Sequence, residues 1–322
     1  MKLSTLTIDR VFAEEVNSGL QAAQKYLPTR FIYDENGDKI FQQIMELPEY
    51  YLTRSELEIF SAHKAAIVSH MIAGGPFNLI ELGAGDCMKT KILLEELRSK
   101  KAEFVYTPVD ISANAIEATA ADLKEEFHDL RLQPLQAEYF EALETLKSKG
   151  QRLVVLFLGS NLGNFRRPQI DHLIRKLSDN VSVNDMIFVG VDLVKDPLTI
   201  LHAYDDNGYV TEAFNKNLLY RINNELGGRF DPDLFYFYPN YDPEDGSVKS
   251  YLVSMEEQDV YIEALDKKFH FEQGETIFTE ISQKFSEDYL RELEKAGHFR
   301  LIESWTDQRR YFKNLLWQKS QS

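Results

Sequence analysis

The sequence predicts an α/β protein: a mostly parallel sheet flanked by helices, with a second, discontinuous α+β part. Between residues 78 and 192, short apolar segments alternate with helical patterns, as in consecutive βαβ units. Residues 153–158 are apolar without interruption, which is typical of a strand covered on both faces. The alternation stops after Asp192, and a helical pattern followed by two strand-like segments returns only at residues 287–317.

The first predicted strand, residues 77–82, leads into a turn that contains Gly83 and Gly85, and a helical pattern follows. Glycines let the backbone approach a ligand closely, and the start of a helix offers unpaired N–H groups. This arrangement indicates a nucleotide-like ligand, with a tight turn that binds nothing as the alternative. A dinucleotide, and with it an NAD-dependent oxidoreductase, is disfavoured because Met88 stands where the dinucleotide pattern has its third glycine.

Acidic residues stand near the ends of two further predicted strands. Asp110 ends the strand at residues 104–110, and Glu138 lies near the end of a strand predicted at residues 130–140. Ser112 is predicted to cap the helix after Asp110. Ligands of parallel sheets bind beyond the carboxyl ends of the strands, and Asp110 has nearly the spacing of an acid that binds ribose hydroxyls. Each acid alone could be a helix cap, but together they favour a nucleoside site.

Composition limits the classes of partner. The 322 residues include 36 Lys and Arg against 52 Asp and Glu, a net charge of −16, which argues against nucleic acid. The single cysteine, Cys87, excludes an intrachain disulfide, and the seven histidines lack metal-ligand spacing, so we expect no metal. The first ten residues lack the apolar core of a signal peptide, and no apolar run reaches membrane-spanning length. We therefore expect a cytoplasmic, monomeric protein that acts on a small molecule without a membrane partner.

The segment after Asp192 is the second, discontinuous part. Residues 230–242 are rich in Tyr, Pro and Asp, and residues 249–255 and 259–265 show the alternation of antiparallel strands, which residues 269–271 and 276–282 continue in the same sheet. The two strand-like segments at residues 300–305 and 311–317, which follow five βα units, resemble the terminal hairpin of the seven-stranded methyltransferase sheet.

A set of segments spread over nearly the whole chain adds a more specific signal, because many of them lie outside the predicted sheet. They are residues 31–34, 47–54, 81–85, 109–112, 157–164, 191–196, 203–206, 213–215 and 279–285. Together they resemble the S-adenosylmethionine (SAM)-dependent L-histidine Nα-methyltransferases of ergothioneine biosynthesis, which form hercynine, Nα,Nα,Nα-trimethylhistidine.

The resemblance implies a SAM-dependent N-methyltransferase with a Rossmann-like class I methyltransferase sheet. Residues 57–194 and 284–322 would form the SAM-binding domain, and residues 1–56 and 195–283 the substrate-binding domain. Asp110 would hold the ribose hydroxyls of SAM, and the adjacent pair Glu138 and Tyr139 would face the adenine. The full set of implied cofactor-binding residues is Tyr33, Gly83, Gly85, Lys89, Asp110, Glu138 and Tyr139.

The resemblance also implies residues for the amino acid. Those around its backbone would be Tyr50, Gly159, Asn164 and Tyr204. Glu280 and Ser282 match residues that bind the imidazole ring. Ser250 stands where well-studied relatives have methionine, which would open or polarise the side-chain pocket. Another amino acid, such as an aromatic one, or a related amine therefore remains an alternative substrate. A non-catalytic SAM-binding scaffold is a separate alternative.

For the chemistry, we expect in-line methyl transfer without a dedicated strong base. The enzyme's task would be to position the amine lone pair against the sulfonium methyl group. Tyr33 and Tyr50 are the candidate catalytic residues, either orienting the amine or passing its proton to water.

Overall fold

The structure, a computed structural model, describes residues 9–85, 87–110, 113–147 and 150–320, without the side chains of residues 113–115. Ser112, predicted as a helix cap, lies outside the described residues. The chain folds into two compact units. We call Met1–Tyr51 with Lys195–Ser282 the N-terminal unit, and Leu52–Val194 with Gln283–Ser322 the sheet unit. The first boundary lies five residues and the last one residue from the predicted bounds, and the predicted roles of the two domains stay predictions.

The strands are β1 (Phe77–Leu82), β2 (Phe104–Asp110), β3 (Leu135–Gln136), β4 (Leu153–Phe157), β5 (Met186–Asp192), β6 (Phe235–Asp242), β7 (Ser247–Ser254), β8 (Gln258–Ile262), β9 (Lys267–Phe271), β10 (Thr276–Gln283), β11 (Phe299–Thr306) and β12 (Phe312–Lys319). The helices are α1 (Arg10–Gln21), α2 (Glu35–Glu46), α3 (Tyr51–Ile72), α4 (Met88–Ser99), α5 (Ala113–Glu126), α6 (Tyr139–Lys147), α7 (Arg167–Asn180), α8 (Pro197–His202), α9 (Val210–Leu226) and α10 (Glu287–Ala296). Among the described residues, no helix has both the length and the apolar character needed to cross a membrane.

The sheet unit contains one seven-stranded sheet in the order β11-β12-β5-β4-β1-β2-β3. Strands β1 to β5 pair in parallel, whereas β12 pairs antiparallel with both β5 and β11. The predicted fold class, a mostly parallel seven-stranded sheet that ends in a hairpin, is confirmed. The carboxyl ends of β1, β2 and β4 meet at one edge, which places the segments that follow them side by side.

The central strands are apolar because both of their faces are covered. Every residue of β1, β4 and β5 is buried. On one side, α7 contributes a stripe of buried residues with helical spacing, from Ile170 through Ile174 to Leu177, to the same core cluster as β4 and β5. Each side chain buried in this way stabilises the fold by about 1.5–3 kcal/mol.

The third strand is much shorter than predicted. Pairing covers only β3, with one further bridge between Leu132 and Tyr106. Pro134 separates the two paired sites, since proline has no N–H to donate to a ladder. Glu138 therefore does not end a strand but precedes α6, where its carbonyl accepts a hydrogen bond from the Ala142 amide at 3.0 Å.

The N-terminal unit contains a three-stranded sheet in the order β10-β7-β6 and a separate two-stranded sheet, β8-β9. The prediction that residues 249–282 continue one sheet was wrong, because β9 pairs with β8 and β10 pairs with β7. The Tyr- and Pro-rich segment forms β6, an edge strand whose residues are alternately buried and exposed. The sequence hid this alternation because aromatic residues occupy both faces, and Pro239 is tolerated at an edge.

Candidate active site

The glycine turn after β1 is tied to the end of β2. Gly83 has a φ of +72° and Gly85 a φ of +54°, a left-handed region that favours glycine. The amides of Gly83 and Ala84 both donate to the carbonyl of Val109, at 3.0 and 3.3 Å. On the other side, the Thr119 hydroxyl donates to the Gly85 carbonyl at 2.7 Å. The turn is thereby fixed between the end of β2 and α5.

Tyr139 lies against this turn. A Cβ atom at Gly83 would come within 2.7 Å of the Tyr139 hydroxyl and 3.2 Å of Asn161 Nδ2, so only glycine leaves room for them. Burial, together with the negative charges of Asp110 and Glu138, raises the pKa of Tyr139 to about 12, so its hydroxyl keeps its proton at neutral pH. The structure thus places five of the predicted cofactor-binding residues at one edge of the sheet: Gly83, Gly85, Asp110, Glu138 and Tyr139. Asn161, which sequence reasoning did not select, joins them.

Lys89 and Gly159 are brought together by a carboxylate that the sequence did not predict. Lys89 lies in the first turn of α4, and its Nζ atom donates to Glu56 Oε2 at 2.6 Å. The Gly159 amide donates to the same oxygen at 2.9 Å. In the sequence, Glu56 looks like any glutamate of a helical pattern, which explains why it was missed.

A second buried carboxyl group, Glu81 of β1, lies behind the glycine turn. It accepts hydrogen bonds from the Thr90 hydroxyl at 2.7 Å and from the Tyr106 hydroxyl. The Tyr106 hydroxyl also lies 3.1 Å from Cys87 Sγ. Burial raises the pKa of Glu81 to about 7, although the hydrogen bonds from Tyr106 and Thr90 oppose this. Cys87 thus packs in the wall of the turn and is buried.

Asn164 ends a single 3-10 turn, Asn161–Asn164, after β4, and is half-buried. The turn is held by Ser160, which has a φ of +59° and whose Oγ atom accepts from the Asp192 amide at 3.1 Å. A Cβ atom at Gly163 would come within 2.8 Å of the carbonyl of Gln283, the last residue of β10, so the turn packs closely on the end of that strand. Asn164 and Gly159 therefore belong to the sheet unit.

In the N-terminal unit, predicted site residues are linked by aromatic contacts. The ring centroids of Tyr33 and Phe41 lie 5.8 Å apart, those of Phe41 and Tyr50 6.3 Å, and those of Tyr50 and Tyr204 6.3 Å. The Tyr204 hydroxyl donates to Ser282 Oγ at 2.8 Å. The structure therefore brings Tyr33, Tyr50, Tyr204 and Ser282 into one connected cluster.

Asn217 of α9 is a further residue that the sequence did not reveal. Its Nδ2 atom donates to the carbonyl of Ile32 at 3.0 Å and to Asp34 Oδ1 at 2.8 Å, the residues on either side of Tyr33. Asp34 also caps α2 by accepting from the Gly37 amide at 2.7 Å. Asn217 is buried, and it fixes the backbone that carries Tyr33.

Ser250 lies in β7, next to the segment that carries Glu280. Its carbonyl accepts from Thr279 Oγ1 at 3.1 Å, and Thr279 precedes Glu280 in β10. The side chain of Ser250 lies on the buried face of the strand, with Leu252, and Glu280 is half-buried. The effect of Ser250 on a side-chain pocket stays a prediction.

Across residues 9–320, outside the gaps given above, no group of three or more His, Cys, Asp or Glu side chains is placed to hold a metal ion. The expectation of a metal-free enzyme stays a prediction.

Comparison with known proteins identifies the family. The sequence model described as "Histidine-specific methyltransferase, SAM-dependent" matches residues 12–319. Histidine N-alpha-methyltransferase of Mycolicibacterium smegmatis is 36% identical over 294 residues, which cover 91% of this chain and 90% of that protein. The protein of the same name from Mycobacterium tuberculosis is 37% identical over 295 residues, with 91% and 90% covered. Ergothioneine biosynthesis protein 1 of Schizosaccharomyces pombe is 27% identical over 300 residues, which cover 91% of this chain and 38% of that protein. The chain belongs to the family of SAM-dependent, histidine-specific methyltransferases.

Proposed function

We propose that this enzyme transfers methyl groups from SAM to the α-amino nitrogen of L-histidine and forms Nα,Nα,Nα-trimethylhistidine for ergothioneine biosynthesis. The observation that carries the proposal is the similarity to two histidine N-alpha-methyltransferases over nine-tenths of each chain. No comparison favours the alternatives of another amino acid or a non-catalytic scaffold.

The donor set of the sheet unit fits SAM. The missing Cβ atom of Gly83 lets the Tyr139 hydroxyl lie against the turn, and at Gly85 nothing lies within 4 Å of the place of a Cβ atom, which leaves room for a ligand at the backbone. Asp110 is half-buried at the end of β2, where a carboxylate can accept from two ribose hydroxyls. The ammonium of Lys89 suits the carboxylate of the methionyl group. We assign Gly85 and Glu138 to the same ligand, which supplies an electrophilic methyl group when bound.

We assign the amino acid to Tyr50, Tyr204, Glu280 and Ser282 of the N-terminal unit. The Ser282 hydroxyl, which accepts from Tyr204 at 2.8 Å, is a group that can both accept and donate, which suits a contact with an imidazole nitrogen. The Glu280 carboxylate can accept the N–H of the other ring nitrogen. A neutral imidazole has one donor and one acceptor, so this pair would select it over rings without both groups. Gly159, Asn164 and Ser250 keep the substrate roles implied by the resemblance.

The chemical task of this chain is to position the α-amine of the substrate against the methyl group of SAM. The α-amine has to lose a proton before it attacks, and its deprotonated fraction near neutral pH suffices if its lone pair is aligned with the methyl group. We assign this alignment to Tyr33 and Tyr50, whose rings both pack on Phe41. Either hydroxyl could pass the amine proton to water. We also propose that the enzyme is a cytoplasmic monomer and needs no metal ion, the last because a single cysteine and the spacing of the seven histidines do not suit a metal site.

The test is to incubate the purified protein with SAM and each of the twenty amino acids and to identify products by mass spectrometry. We expect histidine to gain up to three methyl groups and Nα-acetylhistidine, whose amine is blocked, to gain none. Methylation of a different amino acid with none on histidine would refute the substrate. Absence of product with every amino acid, together with absence of SAM binding in calorimetry, would refute the proposal as a whole.

A further inference from the structure

The sheet unit contains a fully buried carboxylate, Glu56, to which the resemblance gives no role. It lies in the second turn of α3, and its side chain is 0% exposed. Its Oε2 atom accepts from Lys89 Nζ at 2.6 Å and from the Gly159 amide at 2.9 Å. Its Oε1 atom accepts from Asn314 Nδ2 at 2.9 Å. A buried carboxylate needs such donors, and three elements of the unit supply them.

A glycine in the neighbouring sheet leaves room for the carboxylate of Glu56. Gly190 of β5 pairs directly with Asn314 of β12. A Cβ atom at Gly190 would lie 2.0 Å from Glu56 Oε1. The carboxylate of Glu56 therefore rests on the β5–β12 pair with one oxygen and reaches Lys89 and Gly159 with the other.

The hydrogen bonds to Glu56 Oε2 fix two groups at once, the Lys89 ammonium and the Gly159 amide. The side chain of Lys89 is 19% exposed, so part of it reaches the surface while its Nζ atom donates to the buried Glu56. A Cβ atom at Gly159 would be 3.1 Å from Lys89 Nζ, so the ammonium lies against the backbone of the turn after β4. A lysine held in this way loses the rotamer freedom that it would otherwise give up when a ligand binds.

We propose that Glu56 is a positioning residue for SAM, which holds the Lys89 ammonium and the Gly159 turn in their binding arrangement before SAM arrives. The inference rests on the proposed function, in which Lys89 contacts SAM. Glu56 itself is buried beneath these groups and acts through them. Asn314 and Gly190 hold Glu56 in turn.

The test is Glu56→Gln, with SAM affinity measured by calorimetry. Glutamine has nearly the same shape but no charge, and its single oxygen cannot accept in all three directions. Loss of a charge-assisted hydrogen bond predicts a fall in SAM affinity of about ten-fold or more. The KM for SAM should rise to the same degree while kcat changes little. If this variant does not fold, Glu56→Asp, which keeps the charge but is too short to reach every donor, should lower SAM affinity in the same way.

A double-mutant comparison separates positioning from general destabilisation. In a Lys89→Met background, Glu56→Gln should lower SAM affinity by less than about two-fold, because Lys89, the one of the two held groups that is assigned to SAM, is gone, whereas Gly159 is assigned to the amino acid. Asp185→Asn is the matched control: Asp185 is also buried and accepts from the Leu153 and Ser182 amides, but at the amino end of β4. It should lower the melting temperature without changing SAM affinity.

Three results would overturn the positioning role: unchanged SAM affinity in a folded Glu56 variant, an effect that adds fully to that of Lys89→Met, or an equal loss in Asp185→Asn. The proposed function fails separately, when the unmodified protein binds no SAM or methylates no histidine. Because SAM binding is measured without the amino acid, a wrong substrate would leave the Glu56 comparison intact.

Discussion

Replacement of Gly83 with alanine tests how closely the glycine turn packs on the candidate SAM site. The new Cβ atom would meet the Tyr139 hydroxyl at 2.7 Å, closer than atoms in contact normally come, and Asn161 Nδ2 at 3.2 Å. Tyr139 cannot move aside at no cost, because its ring packs on Phe157 with centroids 5.8 Å apart. Gly83→Ala should therefore displace a side chain assigned to the adenine of SAM.

The expected loss in the free energy of unfolding of Gly83→Ala has two parts. The left-handed backbone costs an alanine about 1–2 kcal/mol, and overpacking costs about 1–3 kcal/mol more. Gly85→Ala is the matched control, since Gly85 also has a positive φ, +54°, but nothing lies within 4 Å of its would-be Cβ atom. We expect Gly83→Ala to lower the free energy of unfolding by about 1–3 kcal/mol more than Gly85→Ala does.

Urea unfolding of the SAM-free protein measures this difference, because it leaves out any contact that SAM makes with either glycine. A second replacement, Tyr139→Phe, removes the clashing oxygen, and the nearest ring carbon would then be 3.6 Å from the Cβ atom of Ala at position 83. The pair Gly83→Ala and Tyr139→Phe should recover most of the difference. Equal losses in the two glycine variants, or no recovery in the pair, would refute the packing argument.

Three further predictions concern other groups. The pKa of Glu81 is raised from 4.5 to about 7, so the native state holds an extra proton. Unfolding free energy should therefore fall by about 3 kcal/mol as the pH rises through that range, and Glu81→Gln should flatten this fall in urea titrations between about pH 5 and pH 8. Lys284→Met should lower the free energy of unfolding by about 3–5 kcal/mol. The fully buried Asp192 carboxylate, 2.9 Å from Lys284 Nζ, would lose its cation in this variant. A thermal scan that shows no loss of stability would contradict this. Tyr204→Phe removes the hydrogen bond that orients Ser282, so it should raise the KM for histidine about five-fold. SAM affinity in calorimetry should stay unchanged, and weaker SAM binding would contradict the assignment of Tyr204 to the amino acid.

Local sequence patterns were enough to predict the sheet and its glycine turn. All residues of β1, β4 and β5 are buried because both faces of these strands are covered, and most of them are therefore apolar, in β4 without interruption. Gly83 and Gly85 were recognisable because a positive φ leaves glycine as the usual choice. The linked tyrosines of the N-terminal unit came from family resemblance, since no periodic pattern distinguishes them from ordinary core aromatics.

Long-range contacts left much weaker traces. Asn217 holds the backbone on both sides of Tyr33 from more than 180 positions away in the chain, and one asparagine in a helical pattern does not reveal that role. The strand β6 was missed because it is an edge strand with aromatic residues on both faces. Such features depend on which segments meet in the folded protein, and one sequence does not state this.

Gly190 shows that one of these long-range contacts did leave a trace. It interrupts the apolar strand β5, where a glycine weakens packing and has no turn to form. A glycine at such a position signals that another group approaches the backbone closely, and here that group is the carboxylate of Glu56. Gly159, by contrast, lies in a turn and has a φ of +70°, which already favours glycine, and its missing Cβ atom also leaves room for the ammonium of Lys89. The two glycines thus leave room for the two partners of one ion pair, Glu56 and Lys89. Gly190, which lies within a strand, is the sequence feature that points to Glu56, the carboxylate that holds Lys89 at the candidate SAM site.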